Sequence, residues 1–355
     1  MPQAIVEGHE LSGLHSVRLQ NARKKASLFS NYVRKKPVWC MWQVTYRCNF
    51  RCSFCNYWQY DVDQSVELTP EQFEFGAKKL RQVGTMMVSM AGGEPLLRKD
   101  LVDIVRALSP YHFVFITTNG WLMTEEKARA LYDAGVYGVS VSIDFADPKK
   151  HDERRGVKGA HERALNALRV LSAARNKPYQ RVNLNCVLMH DNLDELEDLI
   201  LLAREHGALF MVQPYGKLKT GDEEFLPKDP VGKHLTRLSD KYRHFISNPE
   251  FLRRFDDHLG DGIPGCRAGQ AFFNIDSYGN VSKCVEFTNE IVGNVLQDDP
   301  HDLVKLLHDR YKANRCAGCW YNCRGEMEIL YTWKGARAGL PRLLTVPDNR
   351  SCERR

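Results

Sequence analysis

No stretch of this 355-residue chain is apolar over the roughly 20 residues needed to cross a bilayer. The first ten residues, MPQAIVEGHE, lack the basic-then-apolar order of an export signal. Together these absences argue against a helical membrane protein and set a cytoplasmic location as the expectation. Low-complexity tracts are missing, as is any internal repeat beyond an alternation of strand and helix patterns, so neither a repeat array nor a long disordered tract is expected. Nor is there a strong charge of one sign. The 50 basic residues face 44 acidic ones, and the resulting net +6 is a mild excess that speaks against nucleic acid as a partner. What is present is 43% hydrophobic and 26% charged, the balance of a folded domain. The length suits one large domain with a smaller one, or a single enlarged α/β barrel.

Cysteine, by contrast, is plentiful, with 11 residues unevenly spread. Three crowd into positions 48 to 55, six lie at or beyond 266, and only Cys40 and Cys186 stand elsewhere. A reducing compartment disfavours structural disulfides, so clustered cysteines there point to metal or redox use.

The first 36 residues hold one helical pattern, from Leu11 to about Val33, with Arg18, Arg23, Lys24, Lys25, Arg34, Lys35 and Lys36 among its apolar positions. It reads as a helix packed on the outside of the domain with solvated basic residues, or as a peripheral membrane contact. From Val38, short β-rich runs alternate with helical ones, the signature of repeated βαβ units on a parallel sheet. Strands are expected at 38–45, 85–91, 112–118, 137–143, 181–188 and 208–214. Helices are expected at 69–83, 98–109, 124–134, 159–175 and 192–206, with capping chemistry at Thr69, Thr124 and Asn192. After about Lys217 the alternation stops. The pattern predicts an α/β fold: a partial (β/α)6 TIM-like barrel over 37–217, preceded by a basic extension over 1–36 and followed by a helical linker over 218–260. A small C-terminal α+β domain over 261–355 completes it.

Cys48, Cys52 and Cys55 follow the first strand directly, in the spacing CxxxCxxC. Three thiolates on one loop can wrap three corners of a cubic iron–sulfur cluster, leaving the fourth iron without a local protein ligand. An open coordination position is what catalysis needs. The competing reading is a zinc site completed by a distant Cys or His. At the end of the second expected strand stands Gly92-Gly93-Glu94-Pro95, which taken alone is a turn.

With Phe54 as the aromatic of CxxxCxΦC and GGEP in register behind it, the chain resembles the radical S-adenosylmethionine (SAM) superfamily. The resemblance implies a [4Fe-4S] cluster on Cys48, Cys52 and Cys55, with SAM chelated at its open iron. Glycine lets backbone approach a ligand, and the Glu94 carboxylate is able to accept hydrogen bonds from SAM's ammonium group. Asn119 after the third strand, Ser142 and Asp144 after the fourth, Asn183 and Asn185 on the fifth and Gln213 on the sixth are further candidates for SAM contact. Each of these also reads as a polar residue satisfying backbone at a strand end. The segment His151 to Gly156 matches the family's HDxxRG, and is expected to be a solvated loop with internal ion pairs.

The later cysteines run Cys266, twelve residues, Gly279, four residues, Cys284, then Cys316, Cys319, Cys323 and finally Cys352. This resembles the auxiliary-cluster extension called SPASM, or its shortened form, twitch. It implies at least one auxiliary iron–sulfur cluster, [4Fe-4S] in type, on Cys266, Cys284, Cys316 and Cys319. Whether Cys323 replaces one of these is open. The compressed CxxCxxxC departs from the full pattern and favours one auxiliary cluster over two; a zinc ribbon would show a second CxxC knuckle, absent here.

The resemblance further implies an enzyme that takes one electron from a donor such as flavodoxin or ferredoxin, cleaves SAM to a 5′-deoxyadenosyl radical and abstracts a substrate hydrogen. Only about 36 residues precede the first strand, against the roughly 80 of a peptide-capture domain. A small metabolite, such as a lipid or tetrapyrrole, is therefore the expected substrate, with a peptide or protein side chain as the alternative. A second alternative is a non-enzymatic, metal-stabilised protein binding nucleic acid or membrane. No acid or base is evident; Tyr215, Glu326 and Glu328 are polar groups near the right segments.

Overall fold

Runs rich in β-branched and aromatic residues become six parallel strands, and the amphipathic runs between them become the helices that cover their outer face. The computed structural model describes residues 19–60, 63–260 and 262–344, with side chains described to residue 339. The first part of the expected N-terminal helix, residues 11–18, and Cys352 lie outside the described residues. In chain order the elements are α1 (19–33), β1 (Trp39–Thr45), α2 (Pro70–Val83), β2 (Met87–Gly92), α3 (Leu101–Leu108), β3 (Phe113–Thr118) and α4 (Glu125–Asp133). Then follow β4 (Gly138–Ser142), α5 (Pro148–Arg155), α6 (Ala160–Ala174), β5 (Arg181–Leu188), α7 (Leu196–Glu205) and β6 (Leu209–Pro214).

Local chemistry explains the helix starts. At α2 the Thr69 hydroxyl accepts from Gln72 N (3.4 Å), Gln72 Oε1 accepts from Thr69 N (2.9 Å), and Pro70 fills the first helical position. At α4 the Thr124 hydroxyl accepts from Lys127 N (3.1 Å), a simple cap without the reciprocal bond. Asn192 does not cap α7 as expected. Its amide donates to Asp144 O (2.9 Å) and Val187 O (2.8 Å), and a 3-10 turn over Leu193–Glu195 intervenes. Tertiary partners for a buried amide outweigh the local cap.

Along each strand the side chains alternate. Cys40, Trp42 and Val44 of β1, Val88 and Met90 of β2, and Val139 and Val141 of β4 point out into the helix layer and are buried. The intervening residues face the barrel interior. The sheet runs β6-β5-β4-β3-β2-β1 without β6 closing onto β1, so the barrel is partial and open on that side.

The chain then continues through α8 (Gly232–Lys241), α9 (Pro249–Arg253), α10 (Phe255–Leu259), β7 (Phe272–Ile275), β8 (Asn280–Ser282) and β9 (Ile291–Asn294). Helices α11 (Pro300–Lys312), α12 (Asn322–Ile329) and α13 (Trp333–Leu344) follow. The C-terminal strands extend the barrel's own sheet. β7 pairs in parallel with β1, from Trp39↔Phe272 to Trp42↔Ile275, and the β7-β8-β9 meander runs on antiparallel from there.

Helix α1 lies across the base of β2 and β3. Lys24 is buried there, its Nζ donating to Ser109 O (2.9 Å) and His112 O (3.2 Å), while Arg23, Lys25, Arg34 and Lys35 are exposed. Among the described residues no helix is long and apolar enough to cross a membrane.

Candidate active site

The cysteine loop leaves β1 at Thr45 and is pinned by the turn after β2. Gly93 N donates to Thr45 O and Glu94 N to Arg47 O, both at 2.8 Å. A Cβ on Gly92 would stand 1.9 Å from Thr45 O, and one on Gly93 2.0 Å from Arg47 O. These glycines admit the cysteine loop's own backbone; Gly92, with φ +131°, also borders the cavity described below.

Glu94 is buried, 1% exposed, and its carboxylate is already engaged. Oε1 accepts from Leu96 N (2.9 Å) and Thr118 Oγ1 (2.6 Å), and Oε2 from Asn119 N (2.7 Å). Burial raises its pKa, against the pull of those hydrogen bonds. Pro95 opens the 3-10 turn behind it. Asn119 Nδ2 donates to Asn49 Oδ1 (2.9 Å), tying the end of β3 to the cysteine loop. Glu94 and Asn119 therefore brace the loop from behind.

The expected solvated loop at His151 to Gly156 is instead mostly helix α5, and it turns two side chains inward. His151 and Arg155 are buried. Arg155 Nε donates to Asp144 Oδ2 (2.8 Å), with its Nη2 2.6 Å from the same oxygen, and its guanidinium lies 5.3 Å from the centre of the Phe54 ring. Asp144 is 0% exposed; its Oδ1 accepts from Val187 N (3.0 Å), and its own N–H donates to His151 Nδ1 (3.2 Å). Asp144 thus anchors Arg155, the residue that reaches the cavity wall. The Asp-to-Arg spacing of eleven residues spans a loop and a helix, so only the fold pairs them.

Beneath the cysteine loop lies a cavity of about 430 Å³. Phe54, Cys55, Gly92, Ser142, Arg155, Asn185 and Gln213 border its upper part. The alternating inward residues of the strands line its middle, including Gln43, Ser89, Thr117, Ser140 and Asn183. Tyr215 and Glu326 also border it; Tyr215 Oη lies 2.5 Å from Thr220 Oγ1, and Glu326 accepts from Asn248 N (3.0 Å). Several polar atoms on this wall are buried without a hydrogen-bond partner: Gln43 Oε1, Asn183 Oδ1 and Asn322 Oδ1 among acceptors, Trp39 Nε1 and Arg181 Nε among donors. Orphaned polar atoms around a cavity mark it as built for a polar ligand.

Cys52 is buried, and Cys48 and Cys55 are half-buried, in a nest with Phe50, Phe54, Phe145 and Met189. Burial pushes the Cys48 thiol up to about 11 and the Cys52 thiol to about 12, with the Arg155 guanidinium pulling both down. Among the described residues no three His, Cys, Asp or Glu side chains converge to hold one ion. A cubane spreads its thiolates over separate irons, so three soft donors on a loop with one side open suit it.

The second group converges from far apart in sequence. Cys266, Cys284, Cys316, Cys319 and Cys323 all line one small cavity. Burial raises the thiols of Cys266, Cys284 and Cys319 to about 12, and each feels the charge of a neighbouring cysteine. Arg324, 0% exposed, clamps this region: Nη1 donates to Cys319 O (2.7 Å), Nη2 to Ile263 O, and Nε to Glu328 (3.1 Å). Glu328 in turn accepts from Arg267 N (2.5 Å), next to Cys266. Cys323 borders both cavities, so the two cysteine sites face one shared space.

An open parallel barrel, a three-thiol loop at the top of its first strand and a ligand-sized cavity below define an enzyme that works on a substrate beside a metal cluster. Residues 42–203 match the Radical SAM superfamily model, so the chain carries a radical SAM domain, followed by a C-terminal extension. Its cofactors are accordingly a [4Fe-4S] cluster and SAM. The chain is 28% identical over 313 residues to the mycofactocin maturase MftC of Mycolicibacterium smegmatis, covering 81% of this chain and 77% of that protein. It is 34% identical over 192 residues to the AdoMet-dependent heme synthase of Methanosarcina barkeri, spanning 53% of this chain and about half, 54%, of that protein. In fold it is similar to Streptococcus suis SuiB, crystallised with its precursor peptide SuiA, at a TM-score of 0.60 and 21% identity, covering 82% of this chain and 69% of SuiB.

Proposed function

We propose that this radical SAM enzyme modifies a side chain of a peptide or protein. The observation that carries the reading is the single cavity of about 430 Å³ that joins Cys55 to Cys323. Its size is near the lower end for ligand sites, which suits SAM with one residue better than SAM with a macrocycle. The likeness to a maturase over 81% of the chain supports the same substrate class. The small-metabolite expectation stands second, favoured by the 34% identity to a heme synthase over the barrel.

In this proposal Cys48, Cys52 and Cys55 hold the catalytic cluster, and Cys266, Cys284, Cys316 and Cys319 hold an auxiliary one, with Cys323 as a fifth thiol facing the substrate. Bound together, the catalytic cluster and SAM supply a 5′-deoxyadenosyl radical able to take a hydrogen atom from carbon. Arg155, fixed by Asp144, offers a guanidinium suited to a carboxylate. Ser142, Asn185, Gln213 and the backbone at Gly92 offer hydrogen bonds beside it. The apolar wall excludes water from the reacting carbon. The barrel over 37–217, the linker over 218–260 and the extension over 261–355 are the working units, and electrons come from a flavodoxin- or ferredoxin-type donor.

The test is co-expression with each short peptide encoded beside the gene, followed by mass spectrometry. The expected result is one peptide whose mass changes with the wild type and not with Cys48→Ala. Turnover of a free metabolite, with every peptide unchanged, sinks the peptide reading.

A further inference from the structure

Three cations border the large cavity, and two of them have an acid of their own. Arg155 is paired with Asp144 (2.6 Å) and Lys219 with Glu286 (2.8 Å). The third, Arg181, is different. It opens β5, opposite Gly138, and shares the inward face with Asn183 and Asn185, so it stands at the base of the barrel, the end away from the cysteine loop. Among the described residues no carboxylate acts on it; its one charge-sensitive neighbour is Tyr137, whose ring centre lies 5.7 Å from the guanidinium. Its Nε–H is buried without an acceptor. Burial lowers its pKa, the sign of a cation held where water solvates it poorly. Glu326 borders the same cavity, but its carboxylate accepts from Asn248 N.

The surroundings of this guanidinium are apolar. Trp39, Met41, Met87, Phe115, Leu209 and Met211 line the lower cavity. The Trp39 Nε1–H is a second buried donor with no partner. Leaving donors unpaired in a site of this kind is costly, and an acceptor carried by a ligand removes the cost. Methionine and aromatic walls adapt to a bulky apolar group.

We propose that the base of the barrel is a specificity subsite for an organic acid: a carboxylate bound by Arg181, joined to an apolar body that fills the space between Trp39, Met87 and Met211. The inference rests on this cavity being the substrate cavity, and holds for either source of such an acid. One source is the carboxyl terminus of a peptide ending in an apolar residue; the other is a free apolar acid.

The test is equilibrium binding by calorimetry to the full-length, anaerobically purified protein, which reads affinity without turnover. The probes are 4-phenylbutyrate against 4-phenylbutyramide, and a hexapeptide ending in phenylalanine with a free carboxylate against the same peptide amidated. In the wild type the acid of at least one pair binds about tenfold tighter than its amide. Arg181→Gln removes that preference while leaving the amide's affinity unchanged, and Arg181→Lys restores part of it. Equal affinity within both pairs overturns the subsite, and does so on the wild type alone, whatever the variants do. A preference that survives Arg181→Gln also overturns it, placing the acid at Arg155 or Lys219. A preference in the free acid with none in the peptides leaves the subsite standing and counts against the peptide reading.

Discussion

Behind each cysteine site stands a buried arginine paired with a carboxylate, and the two pairs do different work. Arg155 and Asp144 sit behind Cys52, and Arg155 keeps part of its guanidinium on the cavity wall. Arg324 and Glu328 sit behind Cys266 and Cys319, and the Nε, Nη1 and Nη2 of Arg324 are all engaged, with Glu328, Cys319 O and Ile263 O. The first pair presents a guanidinium to the cavity, while the second ties protein segments together. The difference follows from chain distance. Cys48, Cys52 and Cys55 lie on one loop and need only bracing, whereas residues from Ile263 to Glu328 must be clamped together before five thiols meet.

The largest expected effect breaks the comparison at its root. Replacing Cys48, Cys52 and Cys55 by Ala abolishes formation of 5′-deoxyadenosine with dithionite, yet leaves about four irons per chain at the second site. An iron assay and product chromatography check both halves. The converse change, Cys316 and Cys319 to Ser, is expected to keep SAM cleavage and stop turnover of the substrate. Normal turnover in that variant removes the second site from the reaction.

Arg324→Met comes next. It strands Glu328 as a buried, uncompensated charge, at a cost of about 3–5 kcal/mol in stability, measured by denaturant unfolding. Arg155→Met strands the fully buried Asp144 and costs stability on the same scale, but should in addition weaken SAM binding in equilibrium dialysis. Unchanged SAM affinity in Arg155→Met, or an equal loss of it in Arg324→Met, would erase the distinction between cavity-facing and scaffold arginines. The smallest effect is expected from Glu94→Gln, which turns one acceptor into a donor facing Thr118 or Asn119. A loss of about 1–3 kcal/mol is expected for the unpaired group, with the iron content of the first site falling as its loop loosens.

Much of the scaffold was legible in the sequence. All six strands fall within two residues of expectation, because each is a short β-rich run between amphipathic helices. The CxxxCxΦC loop and GGEP were legible for the same reason: their meaning is local. Glu94 was legible as a residue that matters, though not in its job, since its three donors come from the segments at Leu96, Thr118 and Asn119. Arg155 was passed over because a charged HDERRG run reads as solvated surface. Its burial depends on Asp144, which arrives from the end of β4.

The sequence by itself determined the order of strands and helices, the first cysteine loop and the superfamily. Each is set by periodicity or spacing within a dozen or so residues. Only the tertiary structure decided that Cys323 lines the same small cavity as the other four later thiols, that β7 continues the barrel sheet beside β1, and that Arg155 and Arg181 face the cavity. Those facts depend on contacts between segments far apart in the chain. Which charges are buried, and which of them lack a partner, is settled by packing.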